Sequence, residues 1–129
     1  MPALRRVGHK GADLIAPGNT AASFDAAVEA GVDMIEFDVL PENTDGTGTL
    51  FLAHDYGDLA RRAGSGTLMT LDEGLDHLCA TGIDLDVDLK LAGYEDRVVA
   101  AIRERDATER VLVSTMEPVS LERVRRIAP

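Results

Sequence analysis

The chain has 129 residues, 13 Lys+Arg against 23 Asp+Glu, and a formal net charge of −10. One domain is expected at this length, the 45% apolar content excludes wholesale disorder, and no apolar run reaches the ~18 residues a membrane-spanning helix needs. The acidity excludes a non-specific nucleic-acid binder, and three Phe, two Tyr and no Trp leave little from which to build a stacking platform.

In chain order, residues 1–6 are basic with no apolar stretch behind them, so they do not read as a secretory signal. A short first strand at 4–8 runs into the loop Gly8-His9-Lys10-Gly11. Ala16-Pro17-Gly18-Asn19 reads as a turn. Residues 21–30 form an Ala-rich helix with Phe24, Ala27 and Val28 on one face and Gly31 as its stop. A second strand covers 34–40, followed by a turn-rich excursion over 41–48 and a short extra strand at 49–53. Gly64-Ser65-Gly66 reads as a loop. Thr70-Leu71-Asp72-Glu73 fits a capping box that opens a helix to about residue 80. A third strand at 83–90, a helix at 94–105, a fourth strand at 110–114 and a helix at 118–127 with Pro118 at its first position complete the pattern. Four strands, each followed by a helix, predict a parallel α/β sheet.

Two of these strands carry charge on one face only. Side chains alternate along a strand, so Ile35, Phe37 and Val39 share a face opposite Glu36 and Asp38. Likewise Leu85, Val87, Leu89 and Leu91 lie opposite Asp84, Asp86, Asp88 and Lys90. Strands of a doubly wound sheet read as continuous apolar runs. Strands apolar outside and charged inside suit a barrel whose inward side chains reach a site at the C-terminal strand ends. The plainer alternative is a half-solvated sheet facing water. Against it, parallel sheets are rarely exposed on one face, and the charges gather late in their strands.

Carboxylates held together repel unless something neutralises them. Glu36, Asp38 and Asp88 would make an oxygen-rich site of the kind Ca²⁺ or Mg²⁺ occupies. Lys90, two residues after Asp88 on the same face, adds a compact positive charge, and a metal with a lysine suits a phosphate. Of the three histidines, His77 reads as a surface or helix-packing residue. His9 and His54 each leave a strand, and parallel strands in a barrel would bring both exits to the mouth where Glu36, Asp38 and Asp88 lie. Either histidine alone reads as structural. As a pair at that mouth they read as a general acid and a general base.

His9-Lys10-Gly11, Pro17-Gly18-Asn19-Thr20, Phe24, the run from Gly31 to Val39, His54-Asp55, and Leu85-Asp86-Val87-Asp88-Leu89-Lys90 together resemble the N-terminal half of the glycerophosphodiester phosphodiesterase family. That family's pattern is roughly H-R-G, P-E-N-T, G-A-D-x-I-E-x-D-V, H-D and E-x-K. The resemblance implies a partial TIM barrel of about four βα units, with a small insertion after the second strand, over residues 1–129. It implies hydrolysis of glycerophosphodiesters to an alcohol and sn-glycerol 3-phosphate with a divalent cation, Ca²⁺ or Mg²⁺, in lipid and glycerol metabolism. By matching position, His9 and His54 would be the acid/base pair, Glu36, Asp38 and Asp88 the metal ligands, and Lys10 and Lys90 the substrate contacts. Three positions depart from the pattern: Lys10 stands for Arg and loses its planar grip on phosphate, Gly18 stands for Glu, and Asp88 stands for a Glu one methylene longer. Lys10 and Gly18 suggest a linked change, since an Arg without an acidic partner has less reason to be Arg.

A full barrel takes ~250 residues, so four units would leave two strand edges unpaired. The expectation is a piece of a longer protein or a homodimer in which the fourth strand of one copy pairs with the first of the other. The rival reading is a non-catalytic half-barrel that binds metal, phosphate or a partner. A lipid phosphodiesterase of the sphingomyelinase D type is a weaker third reading, because such proteins are commonly disulfide-bonded and Cys79 is alone. The single Cys and the lack of a signal point to the cytoplasm. Expected partners are a small glycerophosphodiester, no nucleic acid and no membrane span. Cys79, Met34, Met69 and Met116 are expected to fill core gaps.

Overall fold

The computed structural model describes residues 3–129; Met1 and Pro2, part of the stretch that does not read as a signal, lie outside the described residues. The elements are β1 (Val7–His9), α1 (Ala21–Ala30), β2 (Met34–Pro41), β3 (Leu50–Leu52), α2 (Tyr56–Ser65), α3 (Leu71–Cys79), β4 (Asp84–Leu89), α4 (Glu95–Glu104), a 3₁₀ turn (Thr108–Arg110), β5 (Val111–Thr115) and α5 (Pro118–Ile127).

Local chemistry sets the helix ends. The Thr20 hydroxyl accepts the Ser23 N–H at the start of α1, and Gly31 closes the helix in the left-handed conformation, φ 80°. The expected capping box is present: Thr70 accepts from the Glu73 N–H while the Glu73 carboxylate takes the Thr70 N–H. One helix departs from expectation. Residues 56–65 form α2, with Asp55 as N-cap and Gly66 as left-handed C-cap. Its Gly57 and Gly64 weaken the helical pattern, and the Gly-Ser-Gly end is a helix stop rather than a loop.

The four long-range strands are parallel and ordered β1-β2-β4-β5, so chain order is spatial order. That is a segment of barrel wall; the strand order never reverses as it does in a doubly wound sheet. β3 runs antiparallel to β2, pairing Val39 with Leu52 and Pro41 with Leu50, on the edge of β2 that β1 covers lower down.

One face of the sheet packs against the helices. Ile35, Phe37, Val39, Leu85, Val87 and Leu89 meet Phe24 and Ala27 of α1, Leu75 and Leu78 of α3 and Val98 and Ile102 of α4. Phe24 and Phe37 stack tilted at 6.0 Å. Each such fully buried side chain contributes about 1.5–3 kcal/mol. Met34 is buried and Met69 packs against the core, as does half-buried Cys79. Met116 is the correction: it is 96% exposed, because it follows β5 in the turn before α5 and meets no helix.

The other face carries the charges, as the alternation predicts. Its open lower part shows Val7 and Leu112, each about half exposed at 51% and 57%. The outer edges of β1 and β5 have no partner strand among the described residues.

Candidate functional site

The charged face converges at the C-terminal ends of β2 and β4. In the register, His9 lies beside Glu36, Glu36 beside Asp86, and Asp38 beside Asp88. Glu36, Asp38 and Asp88 each offer a carboxylate oxygen within 4.8 Å of the others. Lys90, just past the end of β4, spans two of them: its Nζ is 3.0 Å from Asp38 Oδ1 and 2.7 Å from Asp88 Oδ2. Ser114 of β5 donates to Asp86 at 2.7 Å and lies 3.5 Å from Asp88, supporting the cluster from the far side. Asp84, one layer lower, pairs with Arg5 instead.

Asp38 is the most buried and the best supported. The Asn19 side-chain amide donates to Asp38 Oδ2 at 3.0 Å, and Asn19 Oδ1 accepts the Asp38 N–H at 3.0 Å. Asn19 sits in the left-handed region, φ 60°, a conformation that Asn tolerates among non-glycine residues. Burial works against ionisation of Asp38, but the Asn19 amide and the Lys90 ammonium outweigh it and hold the carboxyl below the usual range. Glu36 goes the other way. Burial, then the nearby Asp38 charge, pushes it up to about 7, and the Lys10 N–H donated at 3.0 Å only partly offsets this. For Lys90, burial is outweighed by Asp88 and Asp38, which raise it and keep it charged.

His54 reaches the cluster by a route other than the expected one. β3 is antiparallel, so its exit returns down the side of β2 instead of leaving upward beside it. Ala53 N–H bonds to the Asp38 carbonyl, and His54 Nδ1 comes within 3.5 Å of Asp38 Oδ2. The first turn of α2 holds the His54 backbone, through its N–H to Asp58 Oδ2 at 3.1 Å. Buried Asp58 faces Arg61 and Arg62 at 3.5 and 3.3 Å. His9 leaves β1 with its ring 71% exposed and Nε2 4.0 Å from Glu36 Oε1. Both imidazoles therefore border the same carboxylate cluster.

Lys10 enters the cluster with its backbone. Its side chain lies across Gly18, where an added Cβ would stand 2.7 Å from Lys10 Cβ and 2.5 Å from Asp13 Oδ1. Asp13 accepts the Gly18 N–H at 2.8 Å. The space of a side chain at position 18 is thus filled by the Lys10 stem and the Asp13 carboxylate.

The donor set fits a hard divalent cation. All three groups offer oxygen, and once Glu36 is ionised, three carboxylates against one ammonium leave two negative charges for a dication to neutralise. The sequence reading passed over Asn19, Asp58, Tyr94 and Ser114. Asn19 stood within a quoted motif and Tyr94 at a helix start, but nothing in one sequence signals that Asp58 holds the His54 backbone or that Ser114 meets the cluster.

Residues 9–67 match the model of the Glycerophosphoryl diester phosphodiesterase family. The chain is 25% identical to a glycerophosphodiester phosphodiesterase of Caldanaerobacter subterraneus over 95% of its own length and 62% of that protein's. Among solved structures, a glycerophosphodiester phosphodiesterase of Agrobacterium tumefaciens superposes with a TM-score of 0.81 at 24% identity, covering 98% of this chain and 64% of the other. An Oleispira antarctica phosphodiesterase in complex with the product sn-glycerol-3-phosphate superposes with a TM-score of 0.73 at 23% identity, over 98% and 63%. The chain thus spans a little over six-tenths of the length of these relatives. In sequence over residues 9–67, and in fold over nearly its whole length, the chain resembles the glycerophosphodiester phosphodiesterase family.

Proposed function

We propose that this domain is the site-bearing part of a divalent-cation-dependent glycerophosphodiester phosphodiesterase, releasing an alcohol and sn-glycerol 3-phosphate in lipid turnover. The observation that carries this reading is the meeting of Glu36, Asp38, Asp88 and Lys90 with His9 and His54 on one rim. The product held by the Oleispira relative supports the substrate class. Ca²⁺ or Mg²⁺ on Glu36, Asp38 and Asp88 would draw charge from a phosphoryl oxygen. Lys90, its ammonium against the Asp38 and Asp88 carboxylates, would add a compact positive charge for the phosphate. His54 turns Nδ1 to Asp38, and His9 brings Nε2 toward Glu36 from the same edge of β2. One imidazole takes the proton of the attacking oxygen, the other returns a proton to the departing alcohol oxygen, and one P–O bond forms as one breaks. Lys10, its stem lying over Gly18, would meet the substrate from the first loop.

The test is release of sn-glycerol 3-phosphate from glycerophosphocholine with and without Mg²⁺ or Ca²⁺. His9→Ala and His54→Ala should each remove the divalent-dependent rate; retention of that rate in both variants would refute the assignment. The rival reading, a half-barrel without turnover that binds metal, phosphate or a partner, is favoured by the three departures at Lys10, Gly18 and Asp88. Divalent cations that raise the melting temperature with no product released would support it. We place the protein in the cytoplasm on its free Cys79, and propose that a second copy pairing β5 with β1 closes the wall. Sedimentation showing a well-folded monomer at all concentrations would refute that closure.

A further inference from the structure

Where β2 and β4 part company, one hydroxyl bridges them beside a long backbone bond from the Lys90 N–H to the Val39 carbonyl. Their ladder ends at the pair Val39 and Leu89, one residue beyond the Asp38–Asp88 pair. Past it, β2 continues toward β3 while the chain after β4 turns toward α4. Tyr94, buried to 1% exposure in the helix-facing core, puts its oxygen at this fork. It donates to the Val39 carbonyl at 2.6 Å and accepts the N–H groups of Lys90 at 2.9 Å and Leu91 at 3.1 Å. A phenol can donate once and accept twice, so every bonding capacity is used, and all three partners are backbone groups next to the candidate site. Without the oxygen, the Lys90 N–H would keep only its 3.3 Å bond to Val39, and the Leu91 N–H would lose this acceptor. Buried groups left unpaired in this way are costly.

We infer that Tyr94 is a positioning residue whose hydroxyl fixes the spacing between the Asp38 and Asp88 carboxylates and the seat of Lys90 between them. It touches neither carboxylate and acts only through the backbone of the strands that carry them. The consequence for cation affinity rests on the function proposed above; the consequence for carboxylate placement does not.

Tyr94→Phe removes the oxygen and keeps the ring. Tyr56→Phe is the matched control, since the Tyr56 hydroxyl also bonds a β2 carbonyl, that of Pro41 at 2.8 Å, without reaching β4. Carbon-13 carboxyl shifts of Asp38 and Asp88 in the metal-free 129-residue chain should move in Tyr94→Phe and stay put in Tyr56→Phe. Mn²⁺ affinity by calorimetry should fall about tenfold or more in the first, as for other outer-layer supports of metal ligands, and less than about twofold in the second. Carboxyl shifts in Tyr94→Phe that match the control would overturn the inference. If the unaltered chain takes up no Mn²⁺, the metal reading fails and the carboxyl shifts still decide the role of Tyr94. If Tyr94→Phe does not fold, hydrogen exchange of the unaltered chain decides it. The Lys90 and Leu91 amides should then be as protected as that of Leu89, and exchange at the rate of open chain would refute the staple.

Discussion

Lys90→Met tests whether the ammonium holds the carboxylate cluster together. The substitution keeps most of the apolar stem and deletes the charge lying 3.0 Å from Asp38 and 2.7 Å from Asp88. Removing one partner of a buried ion pair costs about 3–5 kcal/mol. The Lys90 side chain is 24% exposed, so solvent screening brings the figure below that range, to about 2–3 kcal/mol. For a chain of this size each kcal/mol moves the melting temperature by roughly 3–5 °C, which puts the expected loss at about 6–15 °C in EDTA. The loss should shrink when a divalent cation replaces the missing charge. It should also shrink at low pH, where the carboxylates that face one another are neutral. Thermal melts with EDTA and with Mg²⁺ at pH 7.5 read this directly. If Lys90→Met melts with the unaltered chain in EDTA, the carboxylates are not close enough to need the lysine, and the geometry of the site is wrong.

Other outcomes follow from the same structure. Burial and Asp38 raise the Glu36 carboxyl from its ordinary 4.5 to about 7. A group raised on folding contributes stability that is fully present below its unfolded value and is lost as pH rises through its folded one. The metal-free chain should therefore lose about 3 kcal/mol from this group between roughly pH 4.5 and 7, a slope that urea titrations should show reduced in Glu36→Gln. Asp38, held below the usual range, acts oppositely and loses its contribution as pH falls. Cation affinity should rise through pH 7 as Glu36 gives up its proton, measurable by calorimetry in buffers of different ionisation enthalpy. Gly74→Ala would gain about 1 kcal/mol of helix propensity, but the new Cβ would stand 2.5 Å from Leu52 Cδ1 in a fully buried contact. Overpacking costs about 1–3 kcal/mol, so urea unfolding should show net destabilisation; a more stable variant would mean α3 can shift off β3. Phe37→Ala, which removes the ring facing Phe24, should cost about 3–5 kcal/mol in the same assay.

Much of this was legible because the sequence alternates cleanly. Ile35, Phe37 and Val39 against Glu36 and Asp38 put both faces of β2 on the page, and the helices at 21–30 and 118–127 carry end signals that fall where the helices end. What stayed hidden depends on contacts far along the chain. The helix after His54 contains two glycines and owes its start to Asp55 and Asp58, short polar groups whose partners are local but whose pattern is not periodic. Met116 looks apolar enough for the core, yet its exposure is decided by the absence of a helix above it. The role of Asn19 is set by a bond across 19 positions to Asp38, and that of Tyr94 by one across 55 to Val39. Periodicity reports which way a side chain leaves the backbone, not which distant group it meets.

The reversal of the chain at β3 separates the placement of His54 from the length of the excursion that precedes it. His54 is delivered by the pairing of Leu52 with Val39, both inside the sheet, while residues 42–49 close the turn and rest against α4 and the loop before it, through Arg97 at the Gly46 and Gly48 carbonyls and Gly46 beside Gly93. Doubling such a turn adds about 0.6 kcal/mol of closure entropy. An insertion or deletion in this segment would therefore cost little in closure and would leave the imidazole where the sheet delivers it.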